Sequence, residues 1–442
     1  MKKNLKFNIR QLRISLFSSF NMISDKSILI ITTIYFAIFC SIVIKFQDSN
    51  LIGDEKRYLE HAHCILNFKF TPDDAYMWLW NGPGYPIILS PIVAFFEDPI
   101  LVARLLNAFL LASSLYIFFK ALRFVVSKRI AVLAFIAFAN YFLIWKSLPL
   151  IMTEIPILFF ICLIIYFLLR PKKGKYDMVI IAILFAYTAM IKIAFGYVIT
   201  ASSVFFILYY FIVKRDSYFL QISKTFAISL LFCLPWLGYT FNKSGKLFYW
   251  AASGGMNLYW ISNPTIGEYG EYMDSSFESA IGVPESKIGF EKSHGEEIRR
   301  IERDFKYGDR DDEFKLVAKK NIKKYPKAFL KNLICNIGRF FFNYPYSYYK
   351  QRPSTLVNVF INGPILGFIF ISLIILLFNL RSTSSPLIVL VTVMFGYMAI
   401  NFLVGGMIRM FYILIPILFS WFAIIAQNLH YNNNSSKRTS AD

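Results

Sequence analysis

The feature that most constrains this chain is a series of apolar runs, each close to the length of a membrane crossing. They lie at about 27–45, 99–120, 129–146, 152–169, 177–191, 195–213, 222–240, 355–379, 386–404 and 407–426. A hydrocarbon core takes about 20 mostly apolar residues as helix. Only helices and closed barrels satisfy every backbone polar group in lipid. The short alternating strands of a barrel do not occur. The chain therefore reads as an all-α polytopic membrane protein of about 10–12 transmembrane helices. Its 57% hydrophobic content lies above the soluble range.

The net charge of +20 invites a nucleic-acid reading, but membrane topology accounts for it better. Short cytoplasmic loops collect Lys and Arg. Lys2, Lys3, Lys6, Arg10, Arg13 and Lys26 precede the first run and put the N-terminus in the cytoplasm. The turns ALRFVVSKR, RPKKGK and VKRD are basic and fall on the same side, and the short turns at 146–152 and 192–195 fall outside. The long segment 241–350 is external, since long loops cross largely regardless of charge. Four parts result: 1–240, an N-terminal transmembrane module with a first external loop at 46–98; 241–353, a mainly helical external module; 354–428, the C-terminal spans; and 429–442, a cytoplasmic tail. This is a multi-pass protein of the inner (plasma) membrane with its chemistry on the external or periplasmic face. Residues 84–96 are apolar but short and Pro-interrupted, as in a re-entrant or interfacial element. In the external module, Ile298, Ile301, Phe305, Phe314 and Val317 predict one apolar helical stripe. The five cysteines show no CxxC spacing, so neither a disulfide framework nor a thiolate metal site is indicated. No internal repeat supports a repeat-built transporter.

Candidate chemistry begins at GDEKRYLEHAH, residues 53–63, just beyond the first run. Asp54 and Glu55 are adjacent, so on a helix they point about 100° apart. One can face a cavity while the other pairs elsewhere. The bland alternative is a solvated helix start with Asp54 as N-cap. Tyr58 lies one turn beyond Asp54 on the same face, with Arg57 beside it. Glu154, after Thr153 at the outer start of another run, is an ionisable group inside apolar sequence and a functional candidate for that reason. Lys192 and Arg409 lie at the same outer face, with Arg104 inside the second run. Snorkelling explains isolated cations of this kind, whereas several beside an acidic patch suit a phosphate. His61 and His63 are two residues apart and face different sides of a helix, which makes a poor metal pair.

The order of these pieces resembles the GT-C membrane glycosyltransferases, in the branch of protein O-mannosyltransferases and aminoarabinose transferases. The stretches that carry the resemblance are GDEKRYLEHA, NGPGYPIILSP, DPILVARLLNA, SLPLIMTEIPILFF, LPWLGYTFNKSGKLFYWAASGGMNLYWISNP and RMFYILIPIL, in that order from about 50 to 420. The resemblance implies a GT-C-like bundle with external juxtamembrane helices. It implies transfer of a sugar from a dolichyl- or undecaprenyl-phosphate carrier to an acceptor hydroxyl on a glycan, lipid or protein, with inversion. Asp54 would be the catalytic carboxylate with Glu55 its neighbour. Arg57, Tyr58, Tyr85, Glu154, Lys192, Asn257, Tyr259 and Arg409 would bind substrate, Arg409 at the lipid phosphate. No cofactor is certain, a divalent cation being the one candidate. Partners are the donor, the acceptor and membrane lipids, with no nucleic acid. The external module is small for a protein mannosyltransferase with a large added domain. The alternatives are a lipid-linked sugar flippase or transporter, which would place charges midway across the spans, and a glycan polymerase working from a lipid diphosphate.

Overall fold

The computed structural model describes residues 24–46, 48, 50–51, 53–72, 79–273, 291–347 and 353–439. The basic residues expected at 2–13, the acidic pair Asp73 and Asp74, and the last three residues of the tail lie outside the described residues. The helices are α1 (Asp25–Phe46), α2 (Asp54–Leu66), α3 (Gly84–Phe95), α4 (Pro99–Leu122), α5 (Lys128–Ala139), α6 (Glu154–Leu169), α7 (Asp177–Ile191), α8 (Ala194–Ile212), α9 (Ser217–Phe232) and α10 (Leu234–Ser244). The segment between α10 and the last spans adds α11 (Gly254–Ser262), α12 (Glu296–Asp304), α13 (Tyr307–Lys324) and α14 (Pro326–Phe342). The chain then closes with α15 (Pro353–Phe378), α16 (Ser385–Val404), α17 (Ile408–Tyr412) and α18 (Ile415–Thr439). All regular structure among the described residues is helical.

Helices α1, α4, α8, α15 and α16 are each long and apolar enough to cross a membrane alone. The α9–α10 pair, bent by 51°, is long and apolar enough only when its two helices are taken together. The bend falls at Cys233, two residues before Pro235, since a proline ring removes a backbone donor and crowds the preceding turn. Proline also breaks the expected run 407–426: α17 ends at Tyr412, and α18 begins at Ile415 with Pro416 in its first turn. The run 129–146 divides into α5 and a 3₁₀ turn, Phe142–Ser147. Its break is at Asn140, whose side-chain amide donates back to the Ile136 carbonyl at 2.8 Å. Helices α6 and α7 are apolar but shorter. Helix α18 runs through most of the stretch that composition assigned to a tail.

In lipid, helices gain little from burying apolar surface against one another, so close packing and interhelical polar ties matter more. One extended core runs through α1–α10 and α14–α18. Tyr141 donates its hydroxyl to Asn362 Oδ1 at 2.8 Å, and Asn362 Nδ2 donates to the Phe341 carbonyl at 2.6 Å. These bonds tie the 3₁₀ turn, α15 and the end of α14 together. The α11–α14 segment has its own smaller core of Met256, Tyr259, Trp260, Met273, Ile298, Ile301, Phe314 and Ala318. The expected single stripe is cut at Phe305, which is extended and ends α12. Proline at the first position of α14 starts the next helix.

Two short helices frame the site. Gly53 has φ 58°, in the left-handed region that glycine enters freely, and so turns the chain into α2. Asp54 is therefore the first helical residue, and the bland alternative of Asp54 as N-cap does not hold. Helix α3 packs against α2 and against α7. A Cβ on Gly84 would stand 2.6 Å from the backbone nitrogen of Ile191, so only glycine permits this approach. Tyr187 fixes it by donating to the Gly84 carbonyl at 2.8 Å.

Candidate active site

Helix α4 is the clamp on which the site is built. Asp98 caps it by accepting from the Leu101 N–H at 3.1 Å, with Pro99 in the first turn. Arg104 and Asn107, three residues apart on one face, then grip two loops. Arg104 Nη1 donates to the Asp48 carbonyl at 2.5 Å and Nη2 to Glu55 Oε1 at 3.2 Å. Asn107 donates to the carbonyl of Leu150 at 2.7 Å. Glu55 Oε1 also accepts the Ile151 N–H at 2.8 Å. The loop before α2 and the loop before α6 are thereby locked together, and they carry Asp54 and Glu154.

Above this clamp lies a cavity of about 750 Å³. Asp54, Arg57, Tyr58, Trp80, Thr153, Glu154, Lys192, Asn257, Tyr272, Asn401 and Arg409 are among its lining residues. Asp54 Oδ1 is 3.2 Å from Arg57 Nη1, and Oδ2 is 3.6 Å from Arg409 Nη2. Glu154 Oε1 lies 3.7 Å from Lys192 Nζ and 3.6 Å from Arg409 Nε. Arg409 thus bridges the two acids, and its Nη1 also reaches Met152 Sδ at 3.3 Å. The side chain of Asp54 is 26% exposed and that of Glu154 is 2%. An incoming hydroxyl can reach the first carboxylate and not the second. Arg57 is stacked 5.2 Å over the Trp80 ring, which holds it rigid without consuming its charge.

The described lining residues include three cations, Arg57, Lys192 and Arg409, against two carboxylates, Asp54 and Glu154. The cavity therefore carries one surplus positive charge while Lys192 is protonated. Burial pushes Lys192 down to about 8, with Glu154 opposing the shift. The surplus charge is present below about 8 and lost above it. Any anion held here should bind more weakly on the alkaline side. A Lys192→Arg variant should lose that alkaline limb because guanidinium stays charged. Ligand affinity measured from pH 6.5 to 9.5 in both proteins checks this.

Both cavity carboxylates lie against cationic side chains. Each already faces guanidinium or ammonium groups at 3.2–3.7 Å. Among the described residues no three His, Cys, Asp or Glu stand together. His61 is fully buried, and burial lowers it to about 4, with Arg57 adding to the effect. It is a neutral packing residue, and His63 does not join it. No disulfide joins any of the five cysteines among the described residues.

The sequence matches no family model and no curated protein. Among solved structures, the chain is similar to the archaeal oligosaccharyltransferase AglB from Archaeoglobus fulgidus, in complex with an inhibitory peptide and a dolichol-phosphate. The identity is 15% and the TM-score 0.45, over 92% of this chain and 52% of that one. The present chain spans about half the length of that protein.

Of the residues singled out in the sequence, Asp54, Arg57, Tyr58, Glu154, Lys192, Asn257 and Arg409 converge on the cavity. Three do not. Glu55 is fully buried against Arg104 and is a positioning residue. Tyr85 is fully buried below the cavity wall, edge-on to Tyr58 with centroids 5.1 Å apart. Tyr259 points into the smaller core, where its hydroxyl is 2.8 Å from His294 Nδ1. It is two residues from Asn257, and helical residues at that spacing do not share a face. Trp80 stands beside the NGPGYP stretch and could have been read from it. Tyr272 and Asn401 carry no local signal.

Proposed function

We propose that the protein is a membrane glycosyltransferase that moves a sugar from a polyprenyl-monophosphate carrier to an acceptor hydroxyl, with inversion at the anomeric carbon. The single observation that carries this reading is the surplus of one cation in a cavity that exposes one carboxylate. A lipid-phosphate-sugar is a phosphodiester of charge −1. Arg409 and Lys192 receive that phosphate, and the apolar rim of Ile191, Ile193, Ile400 and Met407 leads its tail toward lipid. The acceptor oxygen attacks the anomeric carbon as the bond to phosphate oxygen breaks, and its proton passes to Asp54. The departing polyprenyl phosphate takes the bonding electron pair and becomes a dianion. Neutralising Asp54 raises the net charge of the cavity by one in the same step, so site and leaving group remain matched. Fixed cations where charge develops are a large catalytic contribution. Phosphate binding also competes for Arg409, one of the two guanidinium groups that face Asp54. Glu154, paired to Lys192 and Arg409, holds these cations in place.

Charge matching separates this reading from a glycan polymerase, whose diphosphate donor carries one more negative charge than the cavity compensates. The test uses the purified full-length protein in nanodiscs, with a polyprenyl-monophosphate sugar and the matching diphosphate as competing donors. Turnover of the monophosphate should exceed that of the diphosphate by about tenfold or more, a difference of about 1.4 kcal/mol. Preference for the diphosphate would transfer the case to a polymerase. Lipid translocation without any glycosidic product would favour a flippase.

A further inference from the structure

A second, smaller chamber of about 230 Å³ opens beside the main cavity. The two share Tyr272, Val404, Gly405, Met407 and Arg409 as a common wall. We infer that this chamber is the subsite for one pyranose ring of a carbohydrate acceptor, presented past Arg409 to Asp54. The inference rests on the reading of the main cavity as a glycosyl-transfer site, and it names the acceptor class.

Trp260, Tyr272 and Tyr346 bring three aromatic side chains to one small space, beside Glu271, Arg339 and Asn343. Aromatic surface against the C–H face of a sugar, with a few placed polar groups for its hydroxyls, is the composition of a selective small-ligand site. A volume of 230 Å³ holds about eight waters at 30 Å³ each, the space of a single sugar ring.

The ligand is polyhydroxylated and uncharged rather than a phosphate. Arg339 is the one cation of this chamber besides the shared Arg409 among its described lining residues. Its guanidinium is already committed: Nη1 donates to the carbonyls of Tyr269 and Pro345 at 3.1 Å each, and Nη2 to the Gly270 carbonyl at 3.3 Å and to Asn336 Oδ1. Glu271 answers its charge, with Oε2 accepting the Ser347 N–H at 2.5 Å. Burial raises Glu271 to about 7, so near neutral pH its carboxyl is present both as hydrogen-bond donor and as acceptor. The chamber is lined by neither Asp54 nor Lys192. It meets the proposed reacting groups at Arg409, whose Nη2 is 3.6 Å from Asp54. A ring seated here therefore projects a hydroxyl to the boundary where Asp54 can take its proton, without displacing the phosphate.

Saturation-transfer NMR on the full-length protein in nanodiscs tests this, with the methyl pyranosides of glucose, mannose, galactose and N-acetylglucosamine as probes. At least one should show transfer in the wild type. Glu271→Gln and Tyr346→Phe should each weaken binding about five-fold, the effect of one lost hydrogen bond. These substitutions lie on separate segments, and size-exclusion elution shows which of the variants fold. Asp54→Asn should leave the pyranoside signal in place. No pyranoside binding, binding indifferent to both substitutions, or selective binding of a Ser/Thr peptide in the same chamber would overturn the inference. If Asp54→Asn instead kept full transferase activity, the assigned chemistry would fall while the pyranoside signal survived, so the two failures are distinguishable.

Discussion

Replacing Asp54 by Asn is expected to lower sugar transfer by about 10²–10⁴-fold, the span of general-base assistance, while the protein still inserts and elutes as a folded species. The carboxamide keeps the size and one acceptor oxygen of the carboxylate but cannot take the acceptor's proton. The site also loses the negative charge that Arg57 and Arg409 share. Freed guanidinium groups should hold the lipid phosphate at least as well as before. The fall should therefore appear in kcat, with donor affinity unchanged or improved. Rate and donor KM, measured separately in nanodiscs, decide the matter. A variant of full activity, or one whose loss lies wholly in KM, would remove Asp54 from the role of base.

The residue next to it should behave in the opposite way. Arg104→Ala strands Glu55 in a fully buried position with the Ile151 N–H still bound to it. Removing one partner of a buried ion pair costs about 3–5 kcal/mol. The loss falls on stability and on the register of two loops at once, because Arg104 also holds the Asp48 carbonyl. The expected result is a large drop in the apparent melting temperature of the solubilised protein, with reduced yield and activity together. Glu55→Gln should be milder, since it keeps an acceptor for both the arginine and the Ile151 N–H. If Arg104→Ala melted like wild type and lost only turnover, the clamp would have to be reassigned as a catalytic element.

This contrast shows how far the site was legible beforehand. Adjacent carboxylates at a membrane edge announce chemistry, and helical geometry requires that only one of them face a given cavity. Which one does so depends on Arg104, which is 49 residues away in sequence. The same geometry explains Asn257 and Tyr259: a motif read as a line of letters offers both, yet the helix turns them to opposite sides. Lys192 and Arg409 stood out in the sequence as phosphate-binding candidates, with snorkelling as the bland alternative. Only packing shows that they share Glu154.

The sequence alone determined that the chain is a helical membrane protein. That information is local: a run of apolar residues must hydrogen-bond its own backbone wherever it meets lipid. It also determined the outer-face acids and cations as candidates, because charged groups are costly in apolar runs. Tertiary structure decided the rest. Proline and asparagine broke three expected runs. Gly84 allowed α3 to touch the end of α7. The grip of α4 on two loops fixed which acid meets the cavity. These outcomes depend on atoms distant in sequence approaching within hydrogen-bonding range, and no periodicity along the chain encodes that distance.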